Sequence, residues 1–125
     1  MFATLLQVGL GGAIGALLRF GAGVGLTRLV GGGFPLAVLP VNVLGSFVMG
    51  VLFIWSLEKE MTHLNPFLLT GILGGFTTFS AFSLEAFLLW EDGLPGQALA
   101  YVALSVVLSI AGLALGVWLA RGAFA

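Results

Sequence analysis

A stretch of ten residues in the middle of an apolar run is poorly suited to a lipid-facing helix. Residues 74–83 read Gly-Gly-Phe-Thr-Thr-Phe-Ser-Ala-Phe-Ser, and the surrounding segment, residues 66–90, is otherwise apolar enough to cross a bilayer. Within hydrocarbon, backbone that leaves the helix is tolerated only where protein or a water-filled cavity covers it. Broken helices at membrane depth are also where many transport proteins hold ions. The stretch predicts that the third span breaks at mid-membrane, and it locates the candidate functional site.

Composition places the whole chain in a membrane. Of its 125 residues 60% are hydrophobic and 7% are charged, whereas soluble domains average about 25% charged residues. The apolar N-terminus lacks the basic leader and cleavage pattern of a signal peptide, so we interpret it as part of the first span. A Gly31-Gly32-Gly33 turn followed by Pro35 is expected to end that span. The prediction is an all-α, multi-pass membrane protein forming one transmembrane domain over residues 1–125, with four spans at about 2–29, 36–57, 66–90 and 97–120.

Several function classes conflict with the sequence. The net charge of −1 provides no basic field for nucleic acid. The chain has no cysteine, and its single histidine, His63, falls in a polar loop, so neither thiol chemistry nor an ordinary zinc site is expected. Because no nucleophile and base are paired, we do not expect an enzyme.

The basic residues are balanced between the two sides of the membrane. With four spans, Lys59 and Arg121 lie on one side, and Arg28 and Arg19 lie on the other. Positive charge normally sets orientation, and two against two gives little preference. We therefore hypothesise that the chain inserts both ways in the lipid bilayer and assembles as an antiparallel homodimer.

Glycines at four-residue spacing suggest close helix contacts. The pairs are Gly11 and Gly15, Gly21 and Gly25, Gly71 and Gly75, and Gly112 and Gly116. Small residues at this spacing let helix backbones approach each other. Together they predict tight packing within the subunit or between subunits.

The third span offers donors for an anion. Phe76, Phe79 and Phe82 share one helical face, and Ser80 and Ser83 lie on an adjoining face. Ring edges are positive, so ring edges with hydroxyl donors can hold a dehydrated anion without a fixed charge. The alternative is that the rings pack between helices and the serines bond backward to carbonyls.

Backbone at the predicted break offers acceptors for a cation. Carbonyls freed near Gly74–Thr78 would suit a monovalent cation, since no carboxylate lies in the stretch. A glycine kink with its carbonyls satisfied by neighbouring hydroxyls is the alternative.

Polar stripes on the second and fourth spans provide further candidate site residues. The second span places Asn42, Ser46 and Gly50 at four-residue intervals, where the Asn42 amide serves an anion or clamps two helices. The fourth span places Tyr101, Ser105 and Ser109 at four-residue intervals. Three hydrogen-bonding side chains on one helical face suggest the wall of a water-filled path. A single serine in such a position often only packs between helices.

Arg19 and Glu85 are the charges inside or near the spans. Arg19 is either an interface anchor whose side chain snorkels or part of an electropositive vestibule. Glu85 is a proton or cation carrier, or a vestibular or structural partner.

The residues at the break closely resemble the signature of the Fluc (CrcB) fluoride channel family. The resemblance extends to Gly11-Gly12-Ala13-Ile14-Gly15-Ala16-x2-Arg19-Phe20 and to Asn42-x2-Gly45-Ser46, and it covers essentially the whole chain. It implies a fluoride-specific channel that exports fluoride passively across the inner membrane. It also implies an antiparallel, dual-topology homodimer with two anion pores.

The resemblance further implies roles for individual residues. The two breaks would meet at the dimer centre around a structural sodium ion held by the backbone carbonyls of Gly74 and Thr77. Phe79 and Phe82 would line the pores and meet fluoride with their ring edges.

Other positions take roles from the same resemblance. Asn42 would donate to the ion, Ser105 and Ser109 would form a polar track, and Arg19 would belong to a vestibule. Ala81 departs from the family, which often has threonine there, so one hydroxyl is missing from the pore wall.

Two rival functions have different requirements. A small dual-topology multidrug exporter would use a glutamate in the first span, which here contains no acid, and would require a proton gradient. A structural or assembly subunit would be functionally unchanged by Phe82→Ile or Asn42→Asp, whereas either change should cut the fluoride flux of a channel while the dimer persists.

The balanced charges lead to a testable expectation about orientation. A side-specific reporter fused to the C-terminus should be active on both sides of the membrane, because the chain has almost no orientation preference. Activity on one side alone would contradict the dual-topology hypothesis.

Overall fold

The computed structural model describes residues 1–30 and 38–125, which are almost entirely helical. Five helices are described: α1 (Phe2–Val30), α2 (Val38–Glu58), α3 (residues 66–76), α4 (Phe79–Glu91) and α5 (Pro95–Phe124). Helix α3 consists of a π-helical segment, Pro66–Leu73, followed by one α-helical turn, Gly74–Phe76. The third span comprises α3 and α4, and a short 3₁₀ turn at Thr62–Leu64 precedes them. The expected glycine turn with Pro35, and the expected start of the second span at residue 36, lie outside the described residues.

Within residues 1–30 and 38–125, four spans are long and apolar enough to cross a membrane: Phe2–Leu29, Val38–Glu58, Thr62–Glu91 and Pro95–Phe124. They contain 28, 21, 30 and 30 residues, against the roughly 20 that a bilayer requires. The chain is therefore a multi-pass helical membrane protein, as the sequence predicts.

The predicted break in the third span is confirmed, and it falls on the threonines. Gly74 keeps helical angles, φ −63° and ψ −35°, whereas Thr77 (φ −86°, ψ 156°) and Thr78 (φ −151°, ψ 127°) are extended. β-Branched residues favour extended backbone. Thr78 then caps α4, because its side chain accepts a hydrogen bond from the Ala81 amide. The third span thus consists of two helices joined by two extended residues.

Close contacts at glycines bring the helices together in two sets. Helix α1 packs on α3, where a Cβ on Gly15 would overlap the Ile72 carbonyl and lie 2.8 Å from the Phe76 nitrogen. Helix α2 packs on α5, where Gly50 lies against the backbone of Leu113 and Val117. Of the glycine pairs noted in the sequence, three make close contacts within the subunit. A Cβ added at Gly21 or Gly25 would meet no described residue within 4 Å apart from the helix's own backbone.

One cluster of buried side chains lies between α4 and α5. Phe82 and Leu89 of α4 pack with Ala98 and Tyr101 of α5 to form a buried cluster. Many large apolar side chains remain on the surface of the single chain, including Phe79, which is 76% exposed. Such extensive apolar exposure suits a protein surrounded by lipid or by a partner chain.

The α1–α3 contact should tolerate no added methyl group. Gly15→Ala is expected to destabilise the protein by about 1–3 kcal/mol, the usual cost of overpacking, because the new Cβ would meet backbone rather than a movable side chain. Gly9→Ala on the same helix is the matched control, since no atom lies within 4 Å of its added Cβ. Thermal unfolding in detergent measures both variants. Equal midpoints for the two would contradict the packing account.

Candidate functional site

A cavity of about 330 Å³ lies beside the break, between α2, α4 and α5. Both threonines of the break contribute to its wall. The other polar and aromatic lining residues are Asn42, Ser46, Phe79, Phe82, Ser105 and Ser109. Five of the residues proposed for an anion path therefore meet at one place, although they come from three helices.

Asn42 clamps α2 to the break. Its Nδ2 donates to the Thr78 carbonyl at 2.9 Å, and its Oδ1 accepts from the Thr78 amide at 2.8 Å. One side chain thus satisfies both backbone groups of an extended residue at membrane depth. The sequence left two interpretations of Asn42, and the observed bonds are those of the helix clamp. A carboxamide nitrogen has two hydrogens, so a second N–H remains beyond the bond to Thr78.

Ser105 presents an unsatisfied hydroxyl to this cavity. The residue is 6% exposed, and its Oγ has no hydrogen-bond partner within the described parts of the chain. A buried hydroxyl without a partner is costly. The cavity wall therefore contains a donor that is free to bind a polar guest.

The aromatic residues of the third span are divided between two environments. The rings of Phe79 and Phe82 lie 5.3 Å apart at 52° and both line the cavity. Phe76 instead lies against α2, where the absence of a side chain on Gly45 makes room for it and for the Thr77 methyl group. Phe76 thus takes the packing role that the sequence offered as its alternative.

Tyr101 lies behind the cavity wall. It is 2% exposed, and its ring packs 5.5 Å from that of Phe82. Its hydroxyl donates to Glu85 Oε2 at 2.7 Å. Glu85 therefore has a structural partner, which was one of its two interpretations. Ring and hydroxyl together make Tyr101 a support for Phe82 instead of a residue lining the cavity.

Ser80 and Ser83 lie on the exposed side of α4. The Ser83 hydroxyl donates to the Phe79 carbonyl at 2.9 Å, as in the backward-bonding alternative. The Ser80 hydroxyl lies 3.2 Å from that of Thr78. Neither residue lines the cavity within the single chain.

Backbone carbonyls at the break have lost their usual partners. In a continuous helix the Thr78 amide would donate to Gly74, and the Ala81 amide would donate to Thr77. Instead these amides donate to Asn42 Oδ1 and to the Thr78 hydroxyl. The carbonyls of Gly74 and Thr77 are thus released from the helical pattern, whereas the Leu73 carbonyl accepts from both the amide and the hydroxyl of Thr77.

Arg19 bonds to the carbonyl between those two positions. Its Nε donates to Gly75 O at 3.1 Å, a contact that neither sequence interpretation of Arg19 contained. No sequence signal indicated it, because the partners are 56 residues apart. Arg19 also lines a second cavity of about 440 Å³, between α1 and α2, together with Thr27 and Arg28.

Fold and site together define a class of protein. A four-span helical membrane protein with a broken span beside a polar and aromatic cavity has the architecture of proteins that move ions or small solutes. More particularly, a family model described as CrcB-like protein, Camphor Resistance (CrcB), matches residues 6–117, and the chain belongs to that family. The resemblance noted in the sequence is therefore confirmed.

Similar proteins extend over almost the whole chain. A protein of Roseobacter denitrificans is 55% identical over 123 residues, covering 97% of this chain and 98% of its own length. One from Ruegeria sp. is 58% identical, with 98% of both chains covered. One from Jannaschia sp. is 65% identical over 96 residues, covering 77% of this chain and 91% of its own. All three are named fluoride-specific ion channel FluC.

The Asn42 clamp can be tested directly. Asn42→Leu should leave both partly buried backbone groups of Thr78 unpaired, at a cost of about 1 kcal/mol for each. Hydrogen exchange of the Thr78 amide should accelerate, and the thermal unfolding midpoint should fall. Ser46→Ala, in the same cavity wall, should leave Thr78 exchange unchanged. Unaltered exchange in Asn42→Leu would contradict the clamp.

Proposed function

We propose that this protein is a fluoride-specific channel that exports fluoride passively and lowers its concentration in the cytoplasm. The proposal is supported by family membership and by relatives of nearly full coverage that carry that name. It is supported independently by the chemistry of the cavity at the break. Such a protein changes no covalent bond, so it is not an enzyme.

The Ser105 hydroxyl is the observation that carries the proposal. It is buried, faces the cavity and has no partner among the described residues. An O–H donor without an acceptor is matched by a small anion that accepts strong hydrogen bonds. Ser109, one helical turn further along α5, extends the same wall.

Other donors around the cavity are neutral. The second N–H of Asn42 and the ring edges of Phe79 and Phe82 offer partial positive charge. The N-terminus of α4 begins beside them at Thr78 and adds the positive end of a helix dipole. None of the described lining residues is charged. An anion held only by such groups loses its water shell but can still leave, as conduction requires.

The direction of transport follows from elementary electrostatics. Fluoride enters cells as the neutral weak acid and ionises in the more alkaline cytoplasm. An open anion path in the inner membrane then lets the membrane potential drive the ion outward. No second energy source is required.

We further propose that the working unit is an antiparallel homodimer. Phe79 belongs to the cavity wall and yet is 76% exposed in the single chain, so a second chain would complete the wall. Ser80 and Ser83 lie on the same open side, where a partner could bring them to the anion. The balanced basic residues favour insertion in both orientations.

A structural sodium ion at the centre of that dimer is the remaining part of the proposal. The Gly74 and Thr77 carbonyls fit it, because both have lost their helical donors and carbonyl oxygens suit a hard cation. The ion would supply positive charge that joins the two breaks. The Thr77 carbonyl shares a peptide bond with the Thr78 amide, which Asn42 Oδ1 holds in place.

Efflux from liposomes tests the function. Purified protein should release fluoride down its gradient, without a proton gradient, and should retain chloride. Ser105→Ala should lower the fluoride flux about tenfold, the effect of removing one hydrogen bond to a charged group. Ser56→Ala is the matched control, because Ser56 is also buried but bonds to the Phe53 carbonyl of its own helix, away from the cavity.

Two outcomes would contradict the proposal. Flux that requires a proton gradient would indicate a coupled exporter instead of a channel. Equal fluoride and chloride release by the wild-type protein would contradict fluoride specificity.

A further inference from the structure

Arg19 is the basic residue whose side chain makes a bond at the break. Its Nε donates to the Gly75 carbonyl, in the last turn of α3, and its charge lies at the negative end of that helix. The backbone there is held tightly: Gly15, one turn before Arg19, contacts Ile72 and Phe76, and Gly75 itself lies against Gly12. The bond therefore joins two helices that are already in backbone contact.

The position of the bond along the chain is informative. Gly75 lies directly after Gly74 and two residues before Thr77, the two positions whose carbonyls are proposed to bind the cation after losing their helical donors. Gly75 lies in a helical turn, and the extended residues Thr77 and Thr78 that follow interrupt the helix beyond it. Without Arg19, the Gly75 carbonyl would therefore also be available to the cation. Arg19 keeps it on the α1 side.

We propose that Arg19 is a positioning residue. Its Nε–H holds the Gly75 carbonyl towards α1 and so leaves the Gly74 and Thr77 carbonyls as the pair that faces the cation. The inference rests on the proposed function and its sodium site. On this view the hydrogen bond matters for the channel, and the charge of the guanidinium is not needed to attract fluoride.

The competing account is electrostatic. Arg19 also lines the larger cavity with Arg28, and two cations in one cleft would raise the local concentration of anions. The two accounts differ in what they require of the side chain, a donor at one atom or a positive charge.

Two neutral variants separate them. Arg19→Gln places Nε2 at the same number of bonds from Cα as the arginine Nε, so it keeps the donor and removes the charge. Arg19→Met has the same unbranched length and a methyl group at that position, so it removes both. The two variants therefore have the same charge and differ in whether the side chain keeps a hydrogen-bond donor at that position.

The first readout is fluoride efflux at low and at high ionic strength. Positioning predicts that Arg19→Gln keeps wild-type flux at both ionic strengths, and that Arg19→Met loses up to about tenfold at both, the effect of losing one hydrogen bond. Equal losses in the two variants that disappear at high salt, where attraction is screened, would overturn the proposal.

The second readout is the sodium concentration that gives half-maximal thermal stabilisation of the purified dimer. It should rise about tenfold in Arg19→Met, since a misaligned carbonyl pair binds the ion more weakly, and stay unchanged in Arg19→Gln. Stabilisation of the wild type that does not depend on sodium would overturn both the sodium site and this inference.

The controls distinguish the levels of failure. Absence of fluoride flux in the wild type would refute the proposed function itself. Wild-type flux combined with equal behaviour of the Gln and Met variants would refute only the positioning role. If Arg19→Met does not fold, Arg19→Gln at low ionic strength still decides, because a requirement for charge predicts that it loses flux.

Discussion

Hydrogen bonding of exposed backbone inside a membrane is the constraint on which this structure depends. Two extended residues interrupt the third span, and no bulk water is present in hydrocarbon to solvate them. The protein therefore supplies partners itself: Asn42 binds both backbone groups of Thr78, and Arg19 binds the Gly75 carbonyl. Thr77 contributes its own amide and hydroxyl to Leu73. Each partner comes from a different element, so the break unites α1, α2 and α3.

These bonds require unusually close helices. Arg19 reaches Gly75 because Gly15 and Gly75 let the backbones of α1 and α3 touch. Gly45 has an equivalent part on α2, where the absence of a side chain admits the Thr77 methyl group beside the Phe76 ring. Close packing by small residues thus sets the distances over which the polar contacts can form. The broken span therefore depends on the glycines, which bring the helices close enough for these hydrogen bonds to form.

Much of this architecture could be predicted from the sequence, because length and hydropathy determine spans and because glycines and threonines are poor residues for a lipid-facing helix. Which residues of each polar stripe line the cavity was less predictable. Asn42 and Ser46 do share a wall of the cavity, but Gly50, on the same helical face, packs against α5. Helical periodicity identifies a face, and it carries no information about which neighbour covers that face at each depth.

The same reason applies to the fourth span and to Arg19. Ser105 and Ser109 line the cavity, whereas Tyr101, one turn earlier, lies behind Phe82 and bonds to Glu85. Contacts between residues far apart in sequence, such as Arg19 with Gly75, depend on how the helices are arranged in space, and no local pattern contains that information.

The break also brings two helix ends of opposite polarity to one point. The negative end of α3 stops at Phe76 and the positive end of α4 starts at Phe79, so a cation and an anion can each find a favourable end within a few residues. Their charges attract across that short distance in a medium of low dielectric constant. Occupancies of the two ends would then be thermodynamically linked, and the linkage is reciprocal: a bound cation would raise the affinity for the anion by the same factor by which a bound anion raises the affinity for the cation. A fixed positive ion would in this way tune how long a passing negative ion stays, without touching it.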